Sequence, residues 1–328
     1  MRKALSIISL VLVIALVITG VVIGITKREE YNYVFTAMNN AISAIKDGTW
    51  KEVTPGGFGE TGPAEEAGDS EAPDVEFVAG TYGGVDFTSI EDVVNYYNTV
   101  YNNTKSQTAQ YQNSDGSVAT FYALVGEEHL NLKPGSLLVD GKPNSILDGA
   151  VPGIMSKIGG GVNGLSPSDN RDPNLDNDET GASLTTSRVT VDDILKCGIV
   201  DNGDGTITMT FVPKGVNMSH KGMDAQGHFF NALGAIDGAI EELGVKWASG
   251  TTEENCKVMY EGGSAEVVIN TATNTVVKAD YHMVVNIDVV HANFLVLTDR
   301  SASLTLYYDC NFPASDDYLL SKKGLTRM

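Results

Sequence analysis

Apolar positions fall into three regimes along this chain. Residues 4–25 form one unbroken apolar run, Ala-Leu-Ser-Ile-Ile-Ser-Leu-Val-Leu-Val-Ile-Ala-Leu-Val-Ile-Thr-Gly-Val-Val-Ile-Gly-Ile, which nothing else in the 328 residues approaches. As a helix it spans roughly 33 Å at about 1.5 Å per residue, enough to cross a hydrocarbon core of about 30 Å. A secretory signal carries an apolar stretch of only about 7–15 residues and ends in a small-x-small cleavage site; neither condition fits. The pattern therefore predicts an uncleaved transmembrane anchor over residues 1–28, with a long signal peptide as the alternative. Arg2 and Lys3 precede the run, whereas Lys27 and Arg28 are followed at once by Glu29 and Glu30. That slight basic bias puts the N-terminus in the cytoplasm and everything after Thr26 outside.

Beyond the run, Tyr31, Val34, Phe35, Met38, Ala41, Ile42 and Ile45 recur at spacings of three and four. This predicts an amphipathic stalk helix over 29–47. From 48 to 86 the period stops and the composition turns to Gly, Pro, Glu and Asp. Such a stretch buries too little apolar surface to offset its ordering entropy, and reads as an acidic linker. Residues 87–328 then form the predicted extracytoplasmic domain.

Within that domain Thr88-Ser-Ile-Glu91 has the form of a capping box, and Ile90, Val93, Val94, Tyr97, Val100 and Tyr101 follow on one helical face. Thr108 to Val125 reads as extended on both sides of the turn tetrapeptide Asn113–Gly116. Residues 144–158 return to helical spacing, with Pro152 as a kink, and 159–181 is loop. Thr190 and Asp193 either cap a short helical turn or begin a strand. Asp201-Asn-Gly-Asp-Gly205 joins two extended runs as a β-hairpin. A helix is predicted over about 224–243 from Phe229, Leu233, Ile236, Ile240 and Leu243, weakened by Gly227, Gly234 and Gly238.

Val276 to Val290 alternates strictly. Val277, Ala279, Tyr281, Met283, Val285, Ile287 and Val289 take one face, and Lys278, Asp280, His282, Asn286 and Asp288 the other. Only a strand has this period. Its expected partners are Ala265–Asn270, Ala292–Thr298 and Arg300–Asp309, giving an antiparallel meander. The fold class expected from these elements is α+β: an N-terminal transmembrane helix with a helical stalk, then a curved antiparallel sheet packed against two to three helices.

Composition narrows the partners. A net charge of −20, from 22 Lys+Arg against 42 Asp+Glu, argues against nucleic acid, which needs a basic footprint. It argues equally against lying flat on anionic lipid. Cys197, Cys256 and Cys310 permit at most one disulfide and leave one thiol over. None follows the apolar run closely enough to serve as a lipid-attachment cysteine, so the expected membrane partner is the bilayer, through residues 4–25.

Candidate chemistry is thin. His220, Asp224 and His228 are spaced by four, as zinc ligands on a helix would be, but Gly222 interrupts them and Asp224 is better used as a cap. Asp172, Asn174, Asp176 and Asp178 follow the alternating spacing of a calcium loop, yet Asn177 replaces the turn glycine and Ser183 the bidentate Glu. At best the 169–179 loop makes a weak calcium contact. The frame through Asn202, Asp204 and Gly205 fails at Val200 and Phe211. Gly159-Gly-Gly-Val-Asn-Gly164 matches G-x-G-x-x-G without the flanking strand and helix that would give it meaning. Ser43 to Lys46 falls in the stalk, Glu127, Glu128 and His129 are adjacent in sequence only, and His282 lies on the polar face of its strand. No catalytic, metal or cofactor-binding residue is assigned, and the chain is read as a non-enzyme.

Tyr96-Tyr-Asn-Thr-Val-Tyr-Asn-Asn-Thr-Lys105, the Asp201-Asn-Gly-Asp-Gly-Thr-Ile-Thr-Met209 hairpin and Asn274-Thr-Val-Val-Lys-Ala-Asp-Tyr281 together resemble a group of uncharacterised membrane-anchored bacterial cell-surface proteins, over about residues 88–310. The architecture is also loosely similar to half-barrel lipoprotein carriers of the LolA or LppX type, from which this chain departs by lacking the lipid-attachment cysteine. The cell-surface group brings no activity with it; the helix-covered sheet is read as a membrane-tethered extracytoplasmic binding module for an apolar ligand or peptide. The alternative is a cell-envelope structural or protein-interaction domain with no ligand cavity.

Overall fold

The computed structural model describes residues 72–122, 125–143, 165–167, 186–232, 245–294 and 297–328. The chain divides into two units, and these residues all belong to the one built from Pro55–Pro143 and Ile158–Met328. The anchor, the stalk, the linker up to residue 71, the predicted helix 144–158, the G-x-G-x-x-G stretch and the 169–179 loop lie outside the described residues. Among the described residues, no helix is long and apolar enough to cross a membrane.

A small hairpin, β1 (Gly80–Tyr82) and β2 (Val85–Phe87), comes first. It falls at the end of the stretch whose composition reads as linker, so regular structure begins before residue 87. Helix α1 (Ile90–Lys105) follows, and its cap sits one residue later than the sequence suggests. Ser89 Oγ accepts from the Asp92 N–H at 3.2 Å, and the Asp92 carboxylate accepts from the Ser89 N–H at 3.1 Å. Thr88 adds its N–H and hydroxyl to the same carboxylate. The acid serving the box is thus Asp92, and Glu91 is left facing solvent. The helix buries Val93, Val94, Tyr97, Val100 and Tyr101, which is the predicted face. Its C-terminal end is pinned to the main sheet by Thr104, whose hydroxyl accepts from the Val276 N–H at 2.8 Å.

Strands β3 (Thr108–Asn113) and β4 (Val118–Tyr122) form the expected hairpin across Asn113–Gly116, with Gly116 at φ 85°. The main sheet is assembled from β5 (Glu127–Leu132), β6 (Leu138–Val139), β7 (Lys142–Pro143), β8 (Ile194–Asp201), β9 (Thr206–Pro213), β10 (Val216–Asn217), β11 (Lys246–Trp247), β12 (Cys256–Tyr260), β13 (Ser264–Asn270), β14 (Thr275–Phe294) and β15 (Leu297–Phe312). Its main path runs β7-β6-β15-β14-β13-β9-β8; β5 adds to β15, β11 and β12 to β14, and β10 to β12. A four-residue helical turn, α2 (Thr252–Asn255), leads into β12. Strand β16 (Leu325–Arg327) joins β3 in a separate small sheet. Every pairing is antiparallel.

The fold class is corrected by this architecture. Strand accounts for 48% of the described residues and helix for 16%, so the described domain is mostly β rather than α+β. Among the described residues α1 alone lies over the sheet as a helix of several turns. The predicted helix 224–243 is not helical in its described part, 224–232, which is a run of turns. The cause is Asp224, whose carboxylate accepts from Ser219 Oγ at 2.7 Å and from the N–H groups of His220, Gln226 and Gly227 at 2.8, 3.2 and 2.9 Å. A cap normally serves one or two orphan donors; this one folds the chain back on itself. A Cβ at Gly227 would fall 1.9 Å from the His220 carbonyl oxygen, so no other residue fits this reversal.

The long strand is confirmed and lengthened, to 20 residues in β14. Tyr281, Met283 and Val285 are 2%, 0% and 0% exposed, as its alternation requires. Two expectations fail further along. Ile287 is only partly buried, while Val284 and Val290 on the opposite parity are buried. Residues 292–298 are not a separate partner strand: β14 continues to Phe294 and β15 starts at Leu297. The pairing shifts register between Val289 and Ala292, where His291 adopts φ 52°. A bulge there interrupts the period that sequence reading relies on.

The register makes a sharp expectation for two neighbouring residues. Val285→Asp places an unpaired carboxylate in the core, a cost of several kcal/mol that should prevent folding. Asn286 accepts from Thr305 Oγ1 at 2.8 Å, a bond that a carboxylate oxygen also accepts, so Asn286→Asp should shift stability by less than about 1 kcal/mol. Urea denaturation of both variants checks this; equal tolerance would mean the strand is out of register by one residue.

Candidate functional site

Antiparallel register lines up one transverse row on the covered face of the sheet. It runs Cys197 (β8), Phe211 (β9), Ala265 (β13), Tyr281 (β14), Cys310 (β15) and Glu128 (β5), each directly opposite the next. All six are buried. Tyr97 and Tyr101 approach from α1, and Phe229, Phe230 and Asn231 come from the end of the turn segment. Tyr97, Phe211 and Phe229 close a triangle of rings, with centroids 4.9 Å (Tyr97–Phe211), 5.3 Å (Phe211–Phe229) and 5.8 Å (Tyr97–Phe229) apart.

One end of the row is apolar and the other polar. Asn231 Nδ2 donates to Glu128 Oε1 at 3.4 Å, and the Cys310 thiol stands between Glu128 and Tyr281. Burial pushes the Cys310 thiol well up, and the Glu128 carboxyl beside it adds to the shift. Burial likewise raises the hydroxyls of Tyr97 and Tyr281, which face one another without a well-aligned hydrogen bond. A thiol and phenols held protonated in this way are poor nucleophiles and poor bases.

All three cysteines are buried and free. Cys197 and Cys310 share the row but stand four strand spacings apart, roughly 19 Å at about 4.8 Å per strand. That is far beyond the reach of a disulfide.

The residues singled out in the sequence are dispersed. Asp224 is consumed by its turn. His228 turns away from it and places Nδ1 2.9 Å from Asp193 Oδ2, in a pair that is nearly buried. Asp193 also accepts from the Thr190 N–H and hydroxyl, so the ambiguous 190–193 stretch is a capped helical turn leading into β8. Burial pushes the Asp193 carboxyl up, but the bonds from His228 and Thr190 outweigh it, and it lies below the ordinary aspartate range. Glu127, Glu128 and His129 alternate along β5, so Glu128 faces the core while His129 Nε2 pairs with Glu127 Oε1 at 2.8 Å on the other face. Asp201, Asn202 and Asp204 spend their side chains on the hairpin and its surroundings: Asp201 Oδ1 takes the Gly203 N–H, and Asp204 Oδ1 the N–H and hydroxyl of Thr206. Among the described residues no three metal-ligating side chains stand together.

One arrangement escaped sequence reading. On the outer face Ser264, His282 and Asp309 stand opposite one another on β13, β14 and β15, with His282 Nδ1 2.6 Å from Asp309 Oδ1. These residue types are those of a Ser-His-Asp triad, which is recognised by geometry. The geometry is incomplete: no hydrogen bond joins Ser264 to the ring. A cross-strand polar ladder accounts for the contacts.

Comparisons of the chain with protein families, with curated proteins and with solved structures give no match.

The Asp193–His228 pair carries a pH signature. A carboxyl depressed in the fold contributes stability above its unfolded-state value and loses it as pH falls through the folded-state value. Asp193→Asn should therefore cost about 1–3 kcal/mol at pH 7. The gap from wild type should close as pH drops below the ordinary aspartate value of 3.8. Urea titrations at several pH values measure it; a gap independent of pH would assign the loss to packing alone.

Proposed function

We propose that this chain is a membrane-tethered extracytoplasmic domain of the cell envelope that acts as a structural or protein-interaction module, with a filled core in place of a ligand cavity. The tether is residues 4–25, whose length and flanking charges support it. The observation that carries the choice between the two functional readings is the ring triangle of Tyr97, Phe211 and Phe229. A carrier needs a void of several hundred Å³ against its sheet. Here the helix and the turn segment both drive aromatic side chains onto that face, and all three rings are 0% exposed. Pairs of this kind are worth about 0.5–1.5 kcal/mol beyond their buried area, so opening a cavity there would sacrifice the contacts that hold α1 to the sheet.

Acidity fits the same reading. A net charge of −20 keeps neighbouring copies apart and soluble at a crowded surface. The full-length protein, purified without added lipid, extracted with organic solvent and analysed by mass spectrometry, should release no small molecule in stoichiometric amount. Stoichiometric lipid or peptide would overturn the reading and restore the carrier.

A further inference from the structure

Residues 74–83, which precede α1, are fastened to β8 at three separated points. Asp74 Oδ1 lies 2.9 Å from Lys196 Nζ. Val75 sits over Gly198: a Cβ there would stand 3.1 Å from the Val75 Cβ. The Gly83 N–H donates to Asp201 Oδ2 at 2.7 Å, and a Cβ at Gly83 would press within 3 Å of both Thr271 and Ile207. The contacts advance together, 74 to 83 along 196 to 201, so the segment follows β8 in the same direction. Among the described residues it takes no strand hydrogen bonds from β8, and Val78 in its middle is 62% exposed.

Both glycines are placed where this contact needs them. Glycine inside a strand gives up side-chain packing, and its use there marks a close approach by another backbone. At Gly198 the approaching chain is Val75–Glu76. Gly83 at φ 57° turns the segment into the β1–β2 hairpin while fitting against Ile207 and Thr271. The exposed Asp74–Lys196 pair contributes little alone; the two glycine seats carry the fit.

We propose that residues 74–83 are a clasp that fixes the base of the N-terminal segment to β8, the terminal strand of the sheet path, so that the domain is held at that strand and not by a free hinge ahead of α1. Its meaning for attachment rests on the tether reading above, but the clasp itself is tested on the chain in solution whatever holds residues 4–25. Limited chymotrypsin digestion of the full-length protein, with the cut bonds mapped by mass spectrometry, should spare the bonds after Phe77 and Tyr82 in the wild type. Gly198→Val, which fills the seat, and Val75→Asp, which removes its occupant, should each speed cleavage there by roughly an order of magnitude, because local opening is independent of global unfolding. Hydrogen exchange in β13–β15 should stay as in wild type. Three results would overturn the clasp: cleavage after Phe77 and Tyr82 in the wild type at the rate of an unstructured peptide, Val75→Asp leaving the cleavage rate unchanged, or faster exchange over the whole sheet in both variants, which would make the segment part of the core.

Discussion

The register of β14 on β15 is the constraint on which the rest of the structure depends. Side chains alternate with period two, so a slip of one residue would exchange the two faces of the sheet. With Tyr281 opposite Cys310 and His282 opposite Asp309, the aromatic and sulfur side chains fall on the covered face and the imidazole–carboxylate pair on the outer one. β13 and β5 take their register from this hairpin, and β9 and β8 inherit it through β13. The core row from Cys197 to Glu128 is a consequence of that chain of pairings, as is the position of Gly198 beneath Val75.

The covered face is closed in two ways. Helix α1 brings a regular apolar stripe, anchored by its cap at Ser89 and Asp92 and by Thr104 on β14. The segment after β10 brings no regular element in its described part. Its shape is set by one carboxylate, Asp224, which gathers four donors, and by one glycine, Gly227, which allows the chain to touch itself. The adjacent pair Phe229 and Phe230 at the end of this segment are both buried. A turn-built plug and a helix thus meet over the same row of the sheet.

Sequence periodicity revealed the parts that are local. The face of α1, the turns at Asn113–Gly116 and Asp201–Gly205 and the alternation of Tyr281 to Val285 all depend on residues within a few positions of one another. Periodicity misled where a single side chain or backbone dihedral overrode it. The helix predicted from 224 does not start there, because Asp224 recruits the donors around it and makes 224–232 a run of turns. The strand pattern was cut short at 290 because His291 takes a left-handed conformation and shifts the pairing. The candidate site was hardly legible at all, since the row joins six strands spread from Glu128 to Cys310 and exists only once the pairings are known. Gly198 carries no local signal either, because the Val75 it accommodates is far away in the chain.

Removal of one ring tests the filled core most directly. Phe229→Ala takes away a fully buried side chain that touches both Tyr97 and Phe211. In a densely packed site such a truncation costs about 3–5 kcal/mol, the transfer term plus the cavity left behind. Urea denaturation of the variant should show a loss of that size. A loss below about 1 kcal/mol would contradict the account, because a ring lining an existing void has little packing to lose.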